Sequence, residues 1–267
     1  MDSSQMNVYR VTSIVCALGF VLFVQGCSSS DSPSEEKPVS ASGIKNDSKI
    51  AASEQVAAPE EPVDPQLEVK AVFQKLLANR TEPDPDEWQK ADKQLTAFGT
   101  TAVPTLTVEM SSSETAAREL ASMYLASLGP EAKEAAPVLE QALQDESPFI
   151  QVNAASTLTH FPEYRDKAIP VLINLTKHAD ANTRVTAVYA LGSLDAHSDE
   201  QLEVIKAALN DSDSDVQLAA IKVLGQIGNP AKTTLTDLQT LIDDTNTDQV
   251  LREAALSSKS QIERAKQ

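Results

Sequence analysis

Six segments of this chain can be laid over one another with an alanine at the same place in each. That repetition constrains the fold more than any other feature. Number each segment from zero at Glu87, Ala117, Ile150, Thr183, Val216 and Leu251. Offset four is then Ala91, Ala121, Ala154, Ala187, Ala220 and Ala255. Offset eight is Leu95, Leu125, Leu158, Leu191 and Leu224, with Lys259 the exception. Offset eleven is Phe98, Leu128, Phe161, Leu194, Ile227 and Ile262. Offsets zero, four, eight and eleven form one stripe of a 3.6-residue helix, the stripe each segment is expected to bury. Three residues ahead of each start stand Asp84, Glu114, Ser147, Asp180, Asp213 and Asp248. Most are residue types that cap a helix by accepting from its unpaired N–H groups.

A second helix repeats beside the first. The stretches "AVPTL", "AAPVL" and "AIPVL" place Pro104, Pro137 and Pro170 at steps of 33, and the same step reaches Glu203 and Thr236. Proline fits a helix's first turn, where the N–H groups have no partner anyway. Each unit therefore reads as helix A, a short Asp/Ser turn and helix B, and no segment alternates like a strand. One hairpin cannot bury its apolar face alone, whereas stacked hairpins share a continuous core. The expected fold is all-α: a right-handed α-solenoid of about six helical hairpins over residues 67–267. The constant alanine marks a close approach between helices. Asp92 and Lys93 in the first unit, and Ser258, Lys259 and Ser260 in the last, are expected to cap the ends.

The stretches "DSDVQLAAIKVLGQIG" and "DANTRVTAVYALGSL" resemble the second helix of HEAT-like repeats, particularly the short bacterial class of the phycobilisome lyases. That pattern runs Asp, an aliphatic residue, Arg, several Ala, Leu-Gly and a final aliphatic-Gly. The resemblance covers about residues 67–267 and implies the solenoid fold, but says almost nothing about a ligand. Its Arg stands at Arg118, Arg184 and Arg252 and is replaced by Trp88, Gln151 and Gln217. In that class such arginines tie to aspartates in adjoining turns, which implies a structural role here. Tetratricopeptide repeats share the period, but their Trp, Gly-Tyr and late Pro signature is missing.

The N-terminus belongs to targeting. "VTSIVCALGFVLFV", residues 11–24, is an apolar run behind Arg10, too short to span a bilayer comfortably and suited to a signal peptide. It ends in "VQGC", which resembles the bacterial lipobox. That resemblance implies cleavage of residues 1–26 and lipidation of Cys27, with an uncleaved anchor or plain secretory signal as the alternative. Translation from Met1 or from Met6 is left open. Only Cys16 and Cys27 exist, so no disulfide is expected in the mature chain. Residues 27–66 are rich in Ser, Pro, Glu and Ala and read as a disordered tether. Its r.m.s. reach is roughly 35 Å.

A net charge of −17 argues against nucleic acid, whose phosphates need clustered Lys and Arg. "DSDSD" at 211–215 starts like a calcium loop, but Val216 and Lys222 stand where Gly and Glu are required, so a helix-capping turn is expected. His160, His178 and His197 lie at helix ends or turns without metal-ligand spacing. No cofactor, metal or catalytic motif is expected.

In the middle units, offsets two, five and six carry Val152, Val185, Val188, Tyr189, Leu218, Ile221 and Lys222. Two readings compete for them. A B helix touching its own A helix and both neighbouring B helices buries three sides; alternatively these residues form a partner-binding patch. The second gives the expected function: a non-enzymatic, lipid-anchored scaffold or adaptor of the bacterial cell envelope. It would sit on the outer membrane facing the periplasm, since Ser28 rather than Asp follows Cys27, and bind a protein partner with a basic rim. A lyase-like enzymatic role or a purely structural spacer are the alternatives.

Overall fold

The computed structural model describes residues 64–194 and 197–265. The signal peptide, Cys27 and the tether, whose last residues 64–66 alone are included, otherwise lie outside the described residues. The solenoid begins slightly earlier than the sequence indicated. Asp64 accepts from the Gln66 N–H and caps a helix starting at Pro65.

Twelve α-helices follow among the described residues, and they pair into six hairpins. The A helices are α1 (Pro65–Asn79), α3 (Val103–Glu109), α5 (Ala136–Ala142), α7 (Arg165–Leu175), α9 (Asp199–Ala207) and α11 (Leu235–Asp243). The B helices are α2 (Pro85–Ala97), α4 (Thr115–Leu128), α6 (Pro148–Leu158), α8 (Ala181–Gly192), α10 (Ser214–Ile227) and α12 (Gln249–Arg264). All six expected cap residues are the N-caps of B helices. Asp84, Asp180, Asp213 and Asp248 accept backbone N–H groups with their side chains, whereas Glu114 and Ser147 do not. Each side-chain cap is worth about 1 kcal/mol.

The predicted stripe is the core. Every offset-four alanine is buried, as is every offset-eight leucine. Consecutive B helices pack on one another from α4 through α12, while consecutive A helices touch only sparsely beyond the first pair. The B layer is therefore the close-packed one, and glycine makes two of its junctions possible. A Cβ on Gly192 would stand 2.3 Å from Val223 Cγ1, and one on Gly225 2.7 Å from Ser258 Oγ. Both glycines sit at offset nine and receive offset seven of the next unit, a close approach that the alanine pattern does not mark. Gly129 and Gly228, at φ +52° and +69°, end α4 and α10 in a conformation side-chain-bearing residues rarely adopt.

Pro104 and Pro137 occupy the first turns of α3 and α5, as expected. Pro170 does not: it lies inside α7. In units two and three a 3₁₀ segment leads directly into the A helix (Gly99–Ala102 and Gly129–Ala135), so the proline starts the α-form. In unit four the lead itself, from Arg165, is α-helical. Pro170 therefore withholds an N–H from an established helix.

Candidate interaction surface

Three residues of the expected patch are not on the surface. Val152, Val188 and Ile221 are fully buried and belong to the core. Each lies on a B helix flanked by two other B helices and its own A helix. Val188 and Ile221 stand at offset five, which faces the next B helix, and Val152 is covered at offset two of α6, so the three-sided burial wins at all three. Val185, Leu218 and Tyr189 remain partly exposed against that core, and Lys222 is exposed. These four stay together at offsets two and six of α8 and α10.

They belong to a longer ridge. Offsets two, six and ten recur every turn on the more open side of the B helices, with Val152 in unit three the buried exception. In units two to five the accessible residues of this row are Glu119, Met123, Ser127, Ser156, His160, Val185, Tyr189, Ser193, Leu218, Lys222 and Gln226. Glu119 is the one acid among them, and it is held: Arg80 Nη2 donates to it at 2.8 Å and Ser147 Oγ at 3.2 Å. A chain of net charge −17 thus presents a nearly acid-free B ridge whose middle is apolar and hydroxylic. The Tyr189 phenol is raised above its ordinary pKa, first by burial and then by the charge of Asp215, so it is neutral at physiological pH.

Offset one is structural in every unit from the second on. Arg118 Nη1 donates to the Ser112 carbonyl at 3.0 Å, Gln151 Nε2 to Asp145 O at 2.6 Å and Arg184 Nη1 to His178 O at 2.9 Å. Gln217 Nε2 donates to Asp211 O at 2.7 Å and Arg252 Nη2 to Thr247 O at 2.8 Å. Each side chain thus pins the turn ahead of its own helix. The arginines of units two and four also reach the next unit: Arg118 Nε meets Asp145 Oδ2 at 2.8 Å, and Arg184 Nε meets Asp211 Oδ2 at 2.9 Å. Burial raises the Asp145 carboxyl, but the hydrogen bonds from Arg118 and the Ser147 N–H outweigh it, and the group is held below the usual carboxylate range. Asp211 is likewise held low, chiefly by Arg184.

This accounts for "DSDSD": Asp211 is held by Arg184 and Asp213 caps α10. His178 Nδ1 accepts from the Asp180 N–H at 3.1 Å, and a His197 ring nitrogen lies 3.1 Å from the Leu191 carbonyl. Among the described residues no group of three or more His, Cys, Asp or Glu could hold a metal. An open groove of about 610 Å³ runs between the end of α7 and α9, lined in part by Lys177, Arg184, Glu200, Glu203, Val204 and Asp211. Its Arg184 and Asp211 are spent on each other.

Residues 136–204 and 169–259 match the family model of HEAT repeats. A designed armadillo repeat protein in complex with the peptide (KR)4 has a similar fold; it is 17% identical with a TM-score of 0.51, covering 73% of this chain and 99% of that one. Computationally designed armadillo repeat proteins for modular peptide recognition are 18% identical at a TM-score of 0.45, covering 72% and 99%. The complex of CpcE and CpcF of phycocyanin lyase from Nostoc sp. PCC7120 is 23% identical at 0.43, covering 60% and 98%. At such identities the likeness concerns the fold alone. No curated protein sequence matches the chain significantly.

Proposed function

We propose that this protein is a lipid-anchored scaffold of the bacterial cell envelope whose solenoid binds a partner protein without catalysing a reaction. The observation that carries the binding role is the half-buried cluster of Val185, Tyr189 and Leu218 beside exposed Lys222 on the B ridge. Large apolar side chains grouped on an open face, ringed by polar ones, are typical of a surface that meets another protein. The groove at α7 and α9 is open, and its charged pair is internally satisfied, which favours binding over chemistry. That a structural relative was solved with a peptide of Lys and Arg fits the same reading.

The anchor is Cys27, behind the "VQG" of the signal region, and the tether lets the solenoid reach away from an outer membrane into the periplasm. The partner carries a basic rim, because exposed carboxylates such as Asp180, Asp215 and Asp248 edge the N-terminal ends of the B helices. Binding therefore weakens as salt rises.

Two measurements test these parts separately. Tyr189→Ala combined with Lys222→Glu should cut partner recovery from solubilised envelopes without lowering the melting temperature; equal recovery would move the site elsewhere. Cys27→Ser should abolish labelling by radioactive palmitate, and equal labelling of mutant and wild type would remove the lipid anchor.

A further inference from the structure

The two ends of the solenoid are finished differently. On α2, in the first unit, offsets zero, three and seven are Glu87, Lys90 and Gln94, all exposed. In units two to five those positions are buried, holding residues such as Leu120, Ile150, Ala190 and Val223. The outer face of α2 is polar where an inner unit would be stacked upon, which is how a solenoid end stays soluble.

The other end keeps apolar side chains. Offset five is Ser122, Ala155, Val188 and Ile221 in units two to five, each fully buried; in α12 it is Leu256, 51% exposed. Ile242 of α11 behaves in the same way. Met110, Leu143, Thr176 and Leu209, at successive steps of 33 before it, are all buried, whereas Ile242 is partly exposed. Leu256 and Ile242 occupy the places that a following hairpin covers at the junctions after units two to five, and among the described residues nothing covers them; in unit one the same places hold Asp92 and Leu77, both partly exposed. Ser258 and Lys259 do not cap this face as the sequence suggested: Ser258 turns inward against Gly225, and Lys259 lies beside Glu263 at 3.2 Å.

Four of the six charges of α12 and its N-cap are mirrored about Leu256, while Arg252 and Glu263 stand opposite the uncharged Ser260 and Gln249. Glu253 stands three residues before it and Lys259 three after, while Asp248 stands eight before and Arg264 eight after. A two-fold axis through Leu256 would bring a second α12 antiparallel to the first. Glu253 of each copy would then oppose Lys259 of the other, and Asp248 would oppose Arg264. Such opposite signs at mirrored positions satisfy an isologous contact, in which one patch must complement itself.

We infer that the α11–α12 end is a self-association surface, on which a second copy of this chain docks through α12, antiparallel about Leu256. The contact closes as a dimer and does not propagate, because the polar face of α2 offers no apolar surface for head-to-tail stacking. The Debye length is about 8 Å at physiological ionic strength, so charges beyond that from the axis are screened and the local pairs dominate over general repulsion.

Disulfide trapping in the full-length protein in its own membrane tests this. Leu256→Cys, oxidised mildly, should give a band at twice the chain mass on a non-reducing gel, well above the background that Cys16 and Cys27 give in the wild type. Val108→Cys, at an equally open site on α3 (Val108 is 70% exposed), should give none. Adding Lys259→Glu to Leu256→Cys should cut the dimer band several-fold by opposing two acids, and adding Glu253→Lys as well should restore it. Leu256 and Glu253 are exposed, whereas Lys259 is partly buried and paired with Glu263, so the melting temperature of each variant is read alongside to separate a lost contact from a lost fold. The proposal is overturned if Leu256→Cys stays at background, if it crosslinks to a band of another mass, if Val108→Cys dimerises as well, or if the charge changes have no effect.

Discussion

Arg184 grips Asp211 with two hydrogen bonds, Nε to Oδ2 at 2.9 Å and Nη2 to Oδ1 at 2.7 Å, and so fastens unit four to the turn of unit five. Arg118 and Asp145 do the same between units two and three, at 2.8 and 3.2 Å. The two pairs are 66 residues apart, twice the repeat step. In units three and five the equivalent residue is Gln151 or Gln217, which bonds to the turn of its own unit at the carbonyl of the gripped aspartate. The solenoid is therefore built in two-unit modules as well as single hairpins.

The clamp should weigh more than the pin. Arg184→Ala removes a charge-assisted pair and two bonds to backbone carbonyls, and leaves Asp211 partly buried. A loss of about 1.5–3 kcal/mol is expected. Gln217→Ala removes one neutral bond and should cost about 0.5–1.5 kcal/mol. Urea unfolding midpoints give the comparison, and faster hydrogen exchange in α9 and α10 of Arg184→Ala would place the loosening at the clamped junction.

Acid should undo the same pairs. Asp145 and Asp211 have folded pKa values below that of an unfolded aspartate, near 3.9. A depressed carboxylate adds stability that is fully present above the unfolded value and is lost as pH falls through the folded one. The stability gap between wild type and the double variant Asp145→Asn, Asp211→Asn should thus be constant above about pH 5 and shrink below about pH 4. Unfolding by urea across pH 2 to 7 measures it. A gap that is flat to pH 2 would mean these carboxylates are not held low.

At Gly192 the usual helix rule should reverse. Ala is favoured over Gly inside a helix by about 1 kcal/mol, but here its Cβ would meet Val223 Cγ1 at 2.3 Å. Val223 is a buried, branched side chain that cannot swing aside, so Gly192→Ala should destabilise by about 1–3 kcal/mol. Val223→Ala in the same chain should return part of the loss, because it opens the space the new methyl needs. Thermal melts of both variants decide it.

Much of this was legible in the sequence because it depends on one helix at a time. The buried stripe, the constant alanine and the positions of all six B-helix caps follow from period and residue type. What depends on a neighbour was not legible. Offset five looked like surface on a lone helix, yet Val188 and Ile221 are covered by the next unit while Leu256 is not. The sequence marks Arg118, Arg184 and Arg252 alike, but only the first two find an aspartate of the following turn within reach. A regular period also hides local differences in how a unit begins, as at Pro170.

Pro170 therefore separates what the repeat makes look identical. Pro104 and Pro137 stand in first turns, where a missing N–H costs nothing and a fixed φ helps. Replacing either with alanine should be neutral or mildly destabilising, since the unfolded chain gains freedom worth about 0.4–1 kcal/mol. Pro170 lies inside α7, after a full α-helical turn from Arg165. Alanine there restores one helical hydrogen bond and relieves the ring's crowding of the preceding turn, a combined penalty of about 3 kcal/mol in an unadapted helix. The unfolded state again gains freedom, which offsets part of that gain. The expected net effect is a stabilisation of about 1 kcal/mol, read as a higher melting temperature for Pro170→Ala and unchanged or lower ones for Pro104→Ala and Pro137→Ala. If all three shift in the same direction, Pro170 starts its helix after all and unit four begins like its neighbours.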